Sequence, residues 1–531
     1  MSELKPLRCV VTSAKQISPI ELPRQELASR SYLRPYHSRV LVALACLVSF
    51  RLWFLPLSSS FWLDELVTYW SAYKGVAASI ARSQFWPGQN MLYTMLAATV
   101  IRIAGPSEVA LRLPSVFATV LTAWLLFRLG EHFLDREAGI LVVVVFASLH
   151  PIAAEAATNA RPYGIALSLV VASVLQLVRW LHGRRPRNMI GFVLTTAAIP
   201  YFHYLFAAVY VVLLAYGIYV WRSEHRIRVK DLIFAAFLIA VLLSPLAWNF
   251  LFAHRTSSVS SFETTPDMHT LIASFMPQIL AASIFLGILA GWLVCQKTGT
   301  ITAGMPRSAK LLFASWLIVP VAGLFMIARL TPFQVFVPRY YLPAFAALSL
   351  IVGCGIRLLN PPRMRMIVAI FLVMGSIASA GRHLAAFPHE EDWRAAAESV
   401  RAANILPTTP VLIRVGLIET AKIHRDIDLD RDSPLLCPIA KYPMPGRIIL
   451  LPHHVNPDSA RYLQQISLQI LKPADRFVLV ARDEDQTFIA WAQGWFLSQG
   501  FEGSQLGHSK GVPVFLFRRG GSLQAPAQTG E

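Results

Sequence analysis

The chain has 531 residues, 55% hydrophobic and 15% charged, with a mean hydropathy of +0.51. A soluble protein of this size carries about a quarter charged residues, so the composition excludes an ordinary soluble enzyme. The net charge of +18 does not indicate nucleic acid, because Lys and Arg gather in short links between apolar runs, the positive-inside pattern of a membrane protein.

In chain order, residues 1–38 read as a cytoplasmic tail. They are too long and polar for a signal-peptide n-region, so the first apolar run is expected to be an uncleaved anchor. Apolar runs of about 20 residues then recur, as bilayer-crossing helices require. Spans are predicted at 39–57, 109–130, 138–157, 163–181, 190–203, 204–221, 232–252, 271–294, 311–329, 340–358 and 367–383, the fifth and sixth being a short pair around Pro200.

Residues 89–104 (QNMLYTMLAATVIRIA) are short for a crossing and contain Arg102. If they crossed, the links holding Arg184/Arg185/Arg187, Arg222/Arg226/Arg228/Lys230, Lys297/Arg307/Lys310 and Arg357/Arg363/Arg365 would all lie outside. Laid along the interface, they leave all four links in the cytoplasm, which the positive-inside rule prefers. The expectation is a polytopic α-helical membrane protein over 39–385. It has about 11 transmembrane helices, a cytoplasmic N-terminus and an external loop at 58–108 that holds a juxtamembrane helix.

From about residue 386 the composition turns soluble. Strands are predicted at 411–415, 447–451, 476–481 and 512–517, alternating with helices near 391–405, 458–471 and 486–499. This is an α/β pattern, expected to form an extracytoplasmic domain over 386–519, with 520–531 a disordered tail. The five cysteines show no CxxC and no Cys/His cluster, so neither a zinc site nor a disulfide framework is indicated. His453-His454 reads as a solvated loop.

Polar residues gather on the expected outer side. Asp64 and Glu65 follow the first span among Trp62, Tyr69 and Trp70. Glu155, Asn159, Arg161 and Tyr163 follow the third; His203 and Tyr204 sit at the fifth–sixth turn; Arg339, Tyr340 and Tyr341 precede the tenth. Plainer readings exist: the acids can simply end a helix in water, the aromatics can form an interfacial belt, and the arginines can snorkel to headgroups. Glu155 lies in an apolar run, where acids are functional candidates by default.

Five segments carry a family likeness in order: LDELVTYW, SEVALRLPSVFATVLTAWLLFRLG, NARPYGIALSL, YFHYLF and VPRYYLPAFAAL. Over roughly residues 40–385 the chain resembles the GT-C superfamily of polyprenyl-phosphate-sugar-dependent glycosyltransferases. The branch is that of bacterial relatives of the protein O-mannosyltransferases and of the lipid A aminoarabinose and galacturonic acid transferases. The resemblance implies a GT-C fold and an inverting transfer to a lipid A, glycan or protein acceptor in a bacterial inner membrane. It carries the family's acidic pair onto Asp64 and Glu65, with Asp64 as base, an Arg-x-Tyr onto Arg161 and Tyr163, and an Arg-Tyr pair onto Arg339 and Tyr340.

Two departures stand out. Thr158-Asn159 replaces the family's Gln-Glu, and Glu155, four residues before Asn159, is expected to supply the missing carboxylate. Gln89-Asn90-Met91-Leu92-Tyr93 replaces Pro-Pro-Leu-Tyr-Tyr, which makes Asn90 and Tyr93 candidate sugar or acceptor contacts. The chemistry suits these residues: a carboxylate takes the acceptor's proton, guanidiniums grip the departing lipid phosphate, and Tyr163, Tyr340, His203 and Tyr204 add contacts. No cofactor is obligatory; a divalent metal at Asp64 and Glu65 stays open as an alternative. The rival function is a transporter or carrier-lipid flippase, which would place polar groups near the midplane of broken helices.

Overall fold

A computed structural model describes residues 35–50, 55–85, 91–149, 156–224, 227–253, 265–295, 304–331, 333, 335–381, 391–417, 419–420, 429–453, 457–482 and 486–520. The first part of the chain is helical: α1 (Pro35–Ser49), α2 (Leu63–Ala72), α3 (Val76–Ser83), α4 (Met91–Ala104), α5 (Glu108–Phe133), α6 (Arg136–Ser148), α7 (Tyr163–Gly183), α8 (Pro186–Phe202), α9 (Val209–Glu224), α10 (Val229–Ala253), α11 (Met268–Phe275), α12 (Gln278–Cys295), α13 (Arg307–Leu330), α14 (Leu342–Leu358) and α15 (Pro362–Gly381).

Among the described residues, seven helices are long and apolar enough to cross a membrane: Glu108–Phe133, Tyr163–Gly183, Tyr204–Glu224, Val229–Leu246, Gln278–Cys295, Arg307–Leu330 and Pro362–Ser379. The other predicted spans are present as the shorter helices α1, α6, α8 and α14. The predicted span 271–294 is two helices, α11 and α12, because Pro277 between them has no N–H to continue the ladder.

Local signals set the helix starts. Ser107 Oγ accepts the Ala110 N–H at 3.2 Å to open α5, and Asp135 Oδ1 accepts the Ala138 N–H at 2.9 Å to open α6. The apolar bundle closes through small residues. A Cβ at Gly130 would lie 2.9 Å from the Gly139 backbone, and one at Gly353 2.6 Å from the Val142 backbone, so α5, α6 and α14 touch main chain to main chain. A buried charge lock sits at one end of α14, where Arg357 Nη2 meets Asp135 Oδ2 at 2.8 Å and Arg365 Nη1 meets Glu137 Oε1 at 2.9 Å. The other end of α14 begins just after Arg339 and Tyr340. At 17 residues it separates these features by about 25 Å.

The C-terminal part is α/β: α16 (Trp393–Ala402), β1 (Pro410–Arg414), α17 (Cys437–Lys441), β2 (Arg447–Leu450), α18 (Pro457–Ile466), β3 (Arg476–Ala481), α19 (Gln486–Ser498), β4 (Phe501–Gln505) and β5 (Val514–Arg519). The sheet order is β2-β1-β3-β5-β4. β1 pairs in parallel with β2 and β3, whereas β5 runs antiparallel to β3 and β4. All four predicted strands are present, and β4 is an addition.

One packing feature matters most for the site. A single apolar cluster joins Phe61, Leu63, Leu66 and Trp70 of the first loop to Trp393, Val411, Leu436 and Ile439 of the C-terminal part. The helix carrying the acidic pair therefore belongs to the core of the α/β domain.

Candidate active site

The first turn of α2 decides where each carboxylate faces. Trp62 at the N-cap is extended and offers the helix no side-chain cap. Glu65 folds back instead, its Oε2 accepting the Trp62 N–H at 3.4 Å. Glu65 also accepts from Arg112 Nε (2.8 Å), Arg112 Nη2 (2.5 Å) and the Ala160 N–H (2.6 Å). Both side chains are buried, at 0% and 1% exposure. Arg112 Nη1 donates to the carbonyls of Leu57 and Ser59, and Nη2 to that of Ser60. Asp64 and Glu65 are thus turned apart: a guanidinium enclosed in the core needs a carboxylate beside it, and Glu65 is the carboxylate beside Arg112.

Asp64 points elsewhere and keeps 28% of its side chain exposed. Arg161 Nη2 lies 3.8 Å and Arg339 Nη2 3.9 Å from Asp64 Oδ2. Arg161 Nη1 further donates to the Asp64 carbonyl at 3.1 Å and to Thr68 Oγ1 at 3.3 Å. Three segments remote in sequence thus meet at one carboxylate.

Aromatic rings hold the two arginines in place. The Arg339 guanidinium lies 5.6 Å from the Trp62 ring and 5.4 Å from the Tyr340 ring, and Arg161 lies 5.8 Å from the Tyr163 ring. His203 is wedged between the two tyrosines, its ring 5.3 Å from Tyr163 and 5.5 Å from Tyr340, with Phe206 at 4.5 Å. Tyr204 opens the short 3-10 turn Tyr204–Ala208 directly after it.

Tyr93, the candidate sugar or acceptor contact, is buried. It is 3% exposed, and its hydroxyl pairs with Ser115, whose Oγ donates to the Arg161 carbonyl at 3.1 Å. Tyr93 therefore supports the Arg161 segment from below. Asn90 and Glu155 lie outside the described residues.

Sequence reasoning missed Arg112, although a lone arginine in the apolar run LRLPSVFATVL was a usable signal. It also missed Thr68, which nothing in the sequence distinguishes. Among the described residues no group of three His, Cys, Asp or Glu side chains comes together that could hold a metal. With Glu65 turned into its pair with Arg112, a divalent ion bridging Asp64 and Glu65 does not fit this arrangement.

Residues 89–248 match the family model described as dolichyl-phosphate-mannose-protein mannosyltransferase. The chain is similar in structure to ArnT from Cupriavidus metallidurans in the apo state, with a TM-score of 0.55 at 10% identity, over 90% of this chain and 98% of that one. It is similar also to ArnT from the same organism bound to undecaprenyl phosphate, with a TM-score of 0.53 at 12% identity, over 92% and 99%. No curated protein matches the chain. At such identities the likeness shows the fold, which is GT-C. Family model and fold agree on one enzyme class, the GT-C glycosyltransferases.

Proposed function

We propose that this GT-C chain transfers a sugar from a polyprenyl-phosphate donor to an extracytoplasmic acceptor hydroxyl, with Asp64 as the base and Arg161 and Arg339 as the phosphate clamp. The observation that carries the proposal is the approach of both guanidiniums to within 4 Å of one part-exposed carboxylate. The formal charges of the three groups sum to +1, which suits an incoming phosphodiester of charge −1. The ArnT structure with undecaprenyl phosphate adds support from a shared fold.

In this reading the acceptor oxygen attacks the anomeric carbon and its proton passes to Asp64. The bond from that carbon to the phosphate oxygen breaks, and its electron pair leaves with the lipid phosphate, which becomes a dianion. Arg161 and Arg339 meet the added charge with paired N–H donors, a geometry that guanidinium offers and ammonium does not. Attack opposite the leaving group inverts the anomeric centre. While the donor is absent, Asp64 occupies the arginines. The incoming phosphate competes with Asp64 for the same two guanidiniums.

The test uses full-length protein in nanodiscs with a panel of undecaprenyl-phosphate pentoses and hexoses, envelope extract as acceptor, and release of undecaprenyl phosphate as the readout. Asp64→Asn should lower turnover by about 10²–10⁴ while leaving donor binding intact. Turnover equal to that of the unaltered protein would overturn the proposal. A flippase would move the intact donor with no release in either protein.

A further inference from the structure

The α/β domain touches the loop that carries Asp64 at several points along its length. Arg394 Nη2 donates to the Ser58 carbonyl at 3.1 Å, and the Arg394 N–H donates to Ser60 Oγ at 3.2 Å. The Phe61 N–H donates to Tyr442 Oη at 2.9 Å, and that hydroxyl donates in turn to Glu108 Oε1 at 2.7 Å. The Leu63 N–H, in the first turn of α2, donates to Glu391 Oε2 at 2.9 Å. At the far end of the helix, Asp432 takes Trp70 Nε1 on its carbonyl at 2.9 Å and Tyr73, Lys74 and Arg82 on its carboxylate.

Glu391 is the sharpest of these contacts. The first N–H groups of any helix lack partners within it, and Trp62 cannot cap them. Glu391 accepts one of them, that of Leu63, from 328 residues away in sequence. It is 6% exposed and is itself held by Trp393 Nε1 on Oε2 at 3.0 Å and by Arg482 Nη2 on Oε1 at 2.7 Å. The residue after Leu63 is Asp64.

We infer that the α/β domain is a positioning device for the transfer reaction, and that Glu391 is the positioning residue that caps α2 and fixes Asp64 against Arg161 and Arg339. The inference deepens the proposed function and rests on it for its catalytic consequence. A displacement of about 1 Å at a reacting group costs about a hundredfold in rate. A first helical turn that frays for want of an acceptor frees Asp64, the next residue, from its fixed place.

The geometry predicts an unequal response to two substitutions. In Glu391→Gln the carbonyl oxygen can occupy the Oε2 place and keep both Leu63 and Trp393, while the ion pair of Oε1 with Arg482 is lost. In Glu391→Ala the cap is gone. With full-length protein in nanodiscs and the same donor panel, Glu391→Ala should lose about a hundredfold in kcat with donor KM within about twofold, because the phosphate clamp remains. Glu391→Gln should keep kcat within about threefold. Amide exchange over residues 61–68 should speed up in Glu391→Ala and not in Glu391→Gln.

Unchanged exchange in Glu391→Ala sinks the cap whatever Asp64 does. Faster exchange with unchanged kcat sinks the positioning role, as does an equal loss in the Gln and Ala proteins. An active Asp64→Asn protein overturns the base assignment separately and leaves the exchange result standing. Should Glu391→Ala fail to fold, Tyr442→Phe removes the acceptor of the Phe61 N–H with little change in volume. It should lose about tenfold in kcat at constant donor KM; full activity would overturn the inference.

Discussion

Replacing Glu65 with glutamine tests whether the buried acid is structural. Four N–H groups converge on that carboxylate, two from Arg112 and one each from Trp62 and Ala160. Trp62 N–H and Arg112 Nη2 face Oε2, whereas Arg112 Nε and Ala160 N–H face Oε1. A glutamine offers one oxygen to one of these pairs and sets its own N–H₂ against the other. Arg112, at 1% exposure, is then a buried charge without its counter-ion. Breaking a buried pair from one side costs about 3–5 kcal/mol, or about 10² to 4 × 10³ in the local opening equilibrium at 1.4 kcal/mol per decade. Hydrogen exchange over residues 57–66 should accelerate by that factor in nanodiscs. Replacing both partners, as Glu65→Leu with Arg112→Met, should not restore protection. The carbonyls of Leu57, Ser59 and Ser60 would then lack their donor, at about 1–3 kcal/mol each. Exchange in Glu65→Gln equal to the unaltered protein would refute the argument.

Three further expectations follow from named contacts. Arg339→Lys keeps the charge but not the paired donors, so donor KM should rise about tenfold, read by undecaprenyl phosphate release. Burial of Asp432 opposes its ionisation, but hydrogen bonds from Arg82, Lys74 and Tyr73 outweigh it and hold the carboxyl well below the usual carboxylate range. A depressed folded-state pKa adds stability above the unfolded value of about 3.9 and loses it as pH falls toward the folded one. Exchange protection of α2 and α3 should therefore fall off below about pH 4, and Asp432→Asn should flatten that dependence. Gly353→Ala forces a methyl within 2.6 Å of the Val142 backbone and should cost about 1–3 kcal/mol in thermal unfolding, whereas Gly355→Ala meets nothing within 4 Å and should be silent.

What the sequence disclosed follows from which forces are local. Helices in the apolar runs and the four apolar strands were readable because hydrophobic patterning lies within each segment. Asp64, Arg161 and Arg339 were readable as candidates from their place on one expected membrane face and from the family resemblance, and the structure brings both arginines within 4 Å of Asp64. The role of Glu65 was not, since its partner lies 47 residues away and adjacent acids look alike in one dimension. β4 (FEGSQ) escaped because only Phe501 is buried, leaving no alternation to detect. Glu391 escaped for a related reason: it stands at the start of the soluble stretch, and only the fold brings it to α2.

The shared core of α2 and the α/β domain also orders events during synthesis. Leu63 leaves the ribosome 328 residues before Glu391, and the strands behind Glu391 come later still. At about 5–20 residues per second this is a wait of tens of seconds. Throughout that interval the apolar face of Leu63, Leu66 and Trp70 has only the bundle residues Ala97, Ala98, Leu111 and Ala160 of its cluster to join. The long sequence separation places this pairing among the slow steps of folding. A nascent chain stopped before residue 391 would hold the helical bundle and both arginines and would leave the Leu63 N–H without its Glu391 acceptor.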